Sequence, residues 1–90
     1  MCNAKVSNMK NNFGRAIPNQ FIIEDDHGET FQSYDSIIGK RLKDGSITLD
    51  KKYHNYSNTT TKYRNRFLGM TSKEVDKAIK DKSIKLDNLN

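Results

Sequence analysis

The sequence has very little cysteine and no long apolar segment. Its one cysteine, Cys2, has no intramolecular partner, so a disulfide framework is excluded and a reducing, intracellular setting is expected. No stretch approaches the roughly 18 consecutive apolar residues of a membrane-spanning helix, and residues 1–13 lack the apolar part of a secretory signal. We therefore expect a cytoplasmic protein that does not enter a membrane.

Apolar side chains are also scarce, and this limits the size of the core. They make up 33% of the 90 residues, whereas charged residues make up 30%. A chain of this length buries only about 60–65% of the surface that its unfolded form exposes. We expect one domain, held together by a few aromatic and branched side chains, with little room for a deep active site.

Signatures of catalysis and metal binding are missing as well. The glycines are scattered and form no phosphate-binding loop. His27 and His54 have no cysteine or carboxylate at ligand spacing, so both are interpreted as solvent-exposed. The acidic residues Glu24–Asp26 and Glu29 offer oxygen ligands for Mg²⁺, which leaves a small metal-dependent nuclease open, but a solvated hairpin tip is the commoner use of such a sequence. We predict a protein that is not an enzyme and has no cofactor or metal.

The first fifty residues predict a flexible tail and two β-hairpins. Residues 1–12 show no periodicity and are interpreted as the tail, while residues 13–90 are assigned to a single domain. Asp26-His27-Gly28 separates two β-rich segments, and Gly28 is expected at positive φ. The second hairpin has the turn Lys43-Asp44-Gly45-Ser46, in which Asp-Gly is a strong turn signal.

A first helix is predicted after the hairpins. Ser57 or Asn58 is suited to begin it as N-cap, and Gly69 is suited to end it in the left-handed conformation. Its buried stripe consists of residues at helical spacing, namely Thr60, Tyr63 and Phe67.

The remaining chain predicts a second helix and a last strand. The helix starts at Thr71-Ser72-Lys73-Glu74, which is a capping-box sequence. The segment from Ser83 to Asp87 alternates like a short strand. Strands followed by helices predict an α+β fold, in which a small antiparallel sheet of two hairpins packs against two C-terminal helices and ends with a short strand.

Charge is distributed unevenly along the chain. In residues 21–50, three basic and seven acidic side chains give a formal charge of −4. Residues 51–73 hold six Lys or Arg and no Asp or Glu, which gives +6. Adjacent blocks of opposite sign favour a two-sided electrostatic surface, one side of which attracts phosphate groups or an acidic protein.

The positive segment supplies the candidate binding residues, which are Lys51, Lys52, His54, Lys62, Arg64 and Arg66. On a helical projection Lys62 and Arg66 lie about 40° apart on the side away from the core, while Arg64 points elsewhere. Tyr53 and Tyr56 are interleaved as stacking groups, but their spacing of three also suits packing beneath the helix. The segment is either a binding surface or a merely solvated helix face.

Several motifs resemble those of a group of small uncharacterised proteins from tailed phages and their bacterial hosts. The motifs are GRAIPNQFIIED, FQSYDSI, ITLDKKY, YSNTTTKYRNRFLG and IKLDNLN, and together they extend over about residues 13–90. The resemblance implies a sheet followed by a helix, without an activity common to the group. An aromatic residue, often Trp, is expected after Tyr53 in this group, where this chain has His54.

The resemblance also implies a class of function, because phages keep small proteins of this kind chiefly to redirect host machinery or to block host defence. The leading hypothesis is a non-enzymatic inhibitor of a host defence nuclease, an anti-CRISPR protein that contacts a CRISPR effector or its guide RNA in the host cytoplasm. The alternative is an autonomous RNA- or DNA-binding regulator of phage origin. Only the alternative requires binding to naked nucleic acid with a steep salt dependence.

Overall fold

The computed structural model describes residues 5–90, which form one sheet and two helices. Cys2, assigned to the predicted tail, lies outside the described residues. The elements in chain order are β1 (Lys5–Lys10), β2 (Ala16–Asp25), β3 (Gly28–Ser33), β4 (Ser36–Leu42), β5 (Ile47–Asp50), α1 (Asn58–Leu68), α2 (Ser72–Lys80) and β6 (Ile84–Asp87).

The sheet has six strands in the order β1-β2-β3-β4-β5-β6 and is mixed. Strands β1 to β5 pair antiparallel with their chain neighbours, and they include both predicted hairpins. Strand β6 pairs in parallel with β5, with Ile47 opposite Ile84 and Leu49 opposite Leu86. A parallel pair requires a crossover connection, and α1 and α2 supply it. The α+β class, the two helices and the short last strand are thus confirmed.

Strand β1 corrects the prediction of a flexible tail over residues 1–12. Within this range Lys5–Lys10 pairs with β2, and Val6 lies opposite Ile23. The side chain of Met9 is buried in the core. β1 is an edge strand whose outer surface remains in water, so its sequence is largely polar and shows little alternation. One buried methionine is a weak signal for a strand.

The core lies between the sheet and the two helices. The rings of Phe31 and Phe67 stack with their centroids 5.7 Å apart and their planes inclined by 28°. Thr60 and Phe67 are buried, and Tyr63 is half-buried against the same cluster, so the predicted stripe of α1 faces the core. The buried apolar residues are Met9, Ile17, Phe31, Ile38, Leu49, Phe67, Leu68, Val75, Ala78 and Ile84.

Arg41 ties the C-terminal end of α1 to the sheet. Its Nη2 donates to Oε1 of Glu29 at 3.0 Å, and its Nη1 donates to the carbonyl oxygen of Phe67 at 3.1 Å. The guanidinium also lies over the Phe67 ring, 4.9 Å from the centroid. One side chain therefore satisfies a free carbonyl of the last helical turn and packs on the main aromatic residue of that helix.

The helix caps follow the sequence signals. Ser57 is the N-cap of α1, and its Oγ accepts from the Thr60 N–H at 3.1 Å. Thr71 and Glu74 form the predicted capping box at the start of α2. Gly69 ends α1 with φ 68° in the left-handed region, as expected for a glycine at this position.

Candidate functional site

The structure separates the six predicted binding residues into exposed and buried ones. Four of them have exposed side chains, and we call these the exposed cations: Lys51, Lys52, Lys62 and Arg66. His54 and Arg64 are buried. Binding of a partner by the exposed cations stays a prediction, whereas the two buried residues have a structural role.

Arg64 is held inside the domain by hydrogen bonds, and its side chain is only 2% exposed. Its Nη1 donates to Nδ1 of His54 at 3.2 Å and to the His54 carbonyl oxygen at 3.1 Å. Its Nε and Nη2 donate to Oδ1 of Asn65 at 3.2 and 2.9 Å. As a candidate binding residue Arg64 would have to be exposed, but the segment between β5 and α1 covers the side of the helix from which it projects.

The interpretation of His54 as solvent-exposed is also wrong, since its side chain is buried against Arg64. Burial lowers the pKa of His54, the Arg64 guanidinium lowers it further, and the carboxylates of Asp76 and Asp50 oppose both effects. A guanidinium only donates hydrogen bonds, so its contact with Nδ1 requires a neutral imidazole that carries its proton on Nε2. His54 is thus built into the fold as a neutral acceptor.

Asp50, at the end of β5, organises the start of the positive segment. The side chain is buried, and its Oδ2 accepts from the N–H groups of Lys52 and Tyr53 at 3.1 and 2.8 Å. Its Oδ1 accepts from the Leu89 N–H at 2.8 Å and from Nδ2 of Asn90 at 3.0 Å. The carboxylate therefore fixes the turn after β5 and joins it to the segment after β6.

The charge of Asp50 is stabilised although the group is buried. Burial alone raises its pKa, but the donors from Leu89, Tyr53, Asn90 and Lys52 outweigh burial and lower the pKa below the ordinary aspartate value of 3.8. Sequence reasoning missed this residue. The available signal was its position, because an aspartate directly after a strand commonly accepts from backbone N–H groups two and three residues later.

Two of the exposed cations lie over tyrosine rings. Nζ of Lys52 is 5.3 Å from the centroid of the Tyr53 ring, and Nζ of Lys62 is 5.4 Å from that of Tyr63. Such contacts orient the ammonium groups while leaving them open to solvent. The lysines at these two positions are therefore partly ordered before any partner arrives.

Arg66 differs from the lysines because it already has protein partners. Its Nη2 donates to the carbonyl oxygen of Lys10 at 2.6 Å, and its Nη1 donates to Oδ1 of Asn12 at 3.1 Å. The side chain links α1 to the chain that follows β1. A substitution of Arg66 thus changes a tertiary contact as well as surface charge.

A pocket of about 350 Å³ lies beside the start of the positive segment. We call it the tyrosine pocket, and the polar and aromatic residues in its wall are Ser33, Tyr34, Asp35, Ser36, Tyr53, Tyr56 and Thr60. The rings of Tyr53 and Tyr56 have centroids 5.7 Å apart and are inclined by 59°. Tyr56 is 71% exposed, as a stacking group would be, whereas Tyr53 packs partly on the core. Each of the two sequence interpretations therefore describes one tyrosine and not the other.

The acidic hairpin tip is used for local structure. Oδ1 of Asp25 accepts from the N–H groups of His27 and Gly28 at 2.8 and 3.2 Å, and Glu29 pairs with Arg41. Within residues 5–90 no three His, Cys, Asp or Glu side chains are grouped so as to hold a metal ion. Over the same range, neither helix combines the length and apolar character required to cross a bilayer.

A family model matches residues 4–85, which include β1 to β5, both helices and the start of β6. The chain belongs to the DUF8033 family, a family of unknown function. No curated protein and no solved structure matches the sequence significantly. Membership agrees with the resemblance to an uncharacterised group of proteins, and it assigns no activity to the tyrosine pocket or to the exposed cations.

Proposed function

We propose that this protein is a non-enzymatic inhibitor of a host defence nuclease, encoded by a phage, that binds a CRISPR effector or its guide RNA in the host cytoplasm. One observation supports a binding role. The cations Lys51, Lys52 and Lys62 are exposed in a segment, Lys51 to Lys73, that contains no acidic residue. The choice of partner rests on the resemblance to phage proteins.

The structure around these lysines suits binding to a polyanion. Asp50 fixes the turn that carries Lys51 and Lys52, while α1 carries Lys62 on a helix that is capped at both ends. Charges held on a rigid frame lose less entropy on binding than charges on a flexible tail. A concentration of one sign also accelerates association with phosphate groups or an acidic protein surface.

A second function, autonomous RNA or DNA binding, is favoured by the tyrosines next to the lysines. Tyr56 is exposed, and Lys52 lies over the ring of Tyr53. Aromatic rings beside cations are the usual surface for single-stranded nucleic acid. This function requires that the purified protein bind naked oligonucleotides, with an affinity that falls steeply as salt increases.

Co-purification with guide-loaded CRISPR nucleases tests the leading proposal, together with an interference assay in cells. The parent protein is expected to retain the effector complex and to reduce interference. A variant with Lys51→Glu, Lys52→Glu and Lys62→Glu is expected to lose both properties while its melting temperature stays close to that of the parent, because these side chains are exposed.

The matched control changes the same amount of charge elsewhere on the surface. Lys40, Lys43 and Lys85 are also exposed, and their replacement by Glu should leave retention of the effector unchanged. If the parent retains no effector and leaves interference intact, the inhibitor proposal is wrong. If both triple variants lose binding equally, net charge and not the Lys51–Lys73 segment is responsible.

A further inference from the structure

The tyrosine pocket has the chemistry of a site for a planar base. Tyr34, Tyr53 and Tyr56 line it together with the carboxylate residue Asp35 and the hydroxyl residue Ser33. Its volume of about 350 Å³ is sufficient for a nucleobase with its ribose. Inclined aromatic rings at the mouth of such a pocket offer faces on which a base can stack.

One residue of the pocket wall and its neighbour on the next strand each bury a polar atom that has no hydrogen-bond partner. They are Oγ of Ser33 and Oε1 of Gln20, which are unsatisfied within the part of the chain that the structure describes. Ser33 and Gln20 lie opposite each other in the pairing of β2 with β3, and only Ser33 lines the pocket itself. A buried hydroxyl without a partner is unfavourable, and a rotation of the Ser33 side chain toward the pocket would let it bond to a ligand there.

The backbone at the mouth of the pocket is strained in a way that helps place a ring there. Tyr34 has φ 55°, in the left-handed region where a bulky residue is an outlier. Its N–H donates to the Asn19 carbonyl oxygen at 2.7 Å, which holds this conformation, and its side chain is 58% exposed. Tyr34 and Asp35 form the two-residue turn between β3 and β4, which requires a positive φ, and this turn holds both residues at the pocket.

Asp35 determines which base the pocket suits. A carboxylate only accepts hydrogen bonds, and its two oxygens accept best from two neighbouring donors. Guanine is the base that presents two such donors side by side, N1–H and the N2 amino group, on its Watson–Crick edge. Asp35 takes part in no ion pair within residues 5–90, so its charge is available for this contact.

We propose that the tyrosine pocket binds an unpaired guanine base of a single-stranded RNA, with the base stacked on tyrosine and its N1–H and N2 amino group donating to Asp35. Lys51 and Lys52, which adjoin Tyr53, contact the flanking phosphates. This inference rests on the proposed function, in the form in which the protein contacts RNA, and it names the part of the RNA that is bound.

The test measures binding of the full-length protein to uridine-rich RNA hexamers with one central G, A, C or U, and to free guanosine monophosphate, by fluorescence anisotropy and calorimetry. The G-containing hexamer is expected to bind about 5- to 150-fold more tightly than the other three, since this is the discrimination typical of a bidentate contact. Equal binding of all four hexamers overturns the proposal. Binding of guanosine monophosphate without binding of the G-containing hexamer also overturns it, because the ligand is then a free nucleotide.

Two variants separate base reading from stacking. Asp35→Asn should abolish the preference for G while leaving the affinity for the A-containing hexamer unchanged, and Asp26→Asn at the exposed tip of another hairpin is its control. Tyr56→Ala should weaken binding of every hexamer by about 5- to 150-fold. Phe13→Ala, which removes an aromatic side chain that is 88% exposed and outside the pocket, should leave binding unchanged.

The variants keep this inference distinguishable from the inhibitor proposal. If Asp35→Asn retains the full preference for G, the pocket assignment is wrong even where the effector complex is still retained. If the G preference depends on Asp35 but no effector is retained by the parent, the guanine site stands and the inhibitor proposal is wrong. Circular dichroism melts of each variant establish that the binding data refer to folded protein.

Discussion

His54 and Arg64 give the fold a dependence on pH near neutrality. The imidazole must stay neutral to accept from the guanidinium, and burial lowers its pKa from the ordinary value of 6.5. In the unfolded chain the same histidine takes up a proton near that value. Between the folded and unfolded pKa values, the unfolded state therefore binds more protons, and stability increases with pH.

Urea unfolding between about pH 5 and pH 8 should show this dependence. The contribution of His54 is fully present above the unfolded pKa of 6.5 and is lost as pH falls through the lower folded pKa. His54→Gln removes the titrating group and should flatten the slope over this range. Asp50 loses its contribution only below the ordinary pKa of 3.8, which lies outside the range from pH 5 to pH 8. Identical slopes for parent and variant would contradict the assignment.

Phe67 is the residue on which the packing between α1 and the sheet depends most. It stacks on Phe31 and carries the guanidinium of Arg41 on its ring. Phe67→Ala should lower the free energy of unfolding by roughly 3–5 kcal/mol, through lost burial and the cavity that remains. Chemical denaturation measures the loss, and a more conservative change, Phe67→Leu, should cost less. A variant that unfolds like the parent is incompatible with this packing.

Arg64 shows the limit of sequence reasoning for a single residue. Helical geometry gives the direction in which its side chain leaves α1, and this is why Arg64 was predicted to point away from Lys62 and Arg66. What covers that direction depends on the path of residues 51–57, which no local signal specifies. Charged residues are almost never fully buried without partners, and the partners here are supplied by His54 and Asn65.

At the scale of elements, the helices and turns were predictable because their signals are local. Ser57, Thr71 and Gly69 determine helix ends through contacts with residues three or four positions away. Strand β1 was not predictable in the same way, since it exists only through pairing with β2. The mixed sheet was likewise beyond local reasoning, because the parallel pairing of β6 depends on residues far away in the sequence.

The C-terminal end of α1 offers a test of backbone conformation that involves no packing. Gly69 has φ 68°, and a Cβ added there meets no atom within 4 Å. Gly69→Ala should therefore destabilise the protein by about 1–2 kcal/mol through the left-handed backbone alone. Gly69→Asn should cost less, since asparagine tolerates this region. Thermal melts of the two variants measure the difference, and an alanine variant as stable as the parent would exclude the left-handed cap.

For the whole molecule, the distribution of charge matters more than the net charge of +5. The Lys51–Lys73 segment carries +6 and residues 21–50 carry −4, and adjacent blocks of opposite sign favour a two-sided electrostatic surface. The sequence predicted this asymmetry, and the exposure of Lys51, Lys52, Lys62 and Arg66 agrees with it. Which of them contacts a partner depends on the partner, and the sequence contains no motif that names one.

Lys62→Glu tests the positive segment by changing surface charge alone, whereas a substitution of Arg66 would also break its contacts with Lys10 and Asn12. The stability of the variant should stay within about 0.5 kcal/mol of the parent. With a nucleic-acid partner, loss of one phosphate contact should weaken binding and reduce the slope of log K against log salt by about one. With a protein partner, the association rate should fall most. Lys40→Glu is the control, and unchanged binding by Lys62→Glu would exclude this side of α1 from the interface.

The parallel pairing of β5 with β6 also sets an order in time. Strands β1 to β5 are joined by short turns, so their pairing closes small loops and is favoured early in folding, whereas β6 reaches β5 only after residues 51–83 have closed a long one. The four hydrogen bonds of Asp50 form in the same order. Those from Lys52 and Tyr53 are local and can form early, whereas those from Leu89 and Asn90 form only after β6 has paired. Until that final step the Asp50 carboxylate keeps part of its hydration, and a chain emerging from the ribosome completes this sheet only when residues 84–90 have left the exit tunnel.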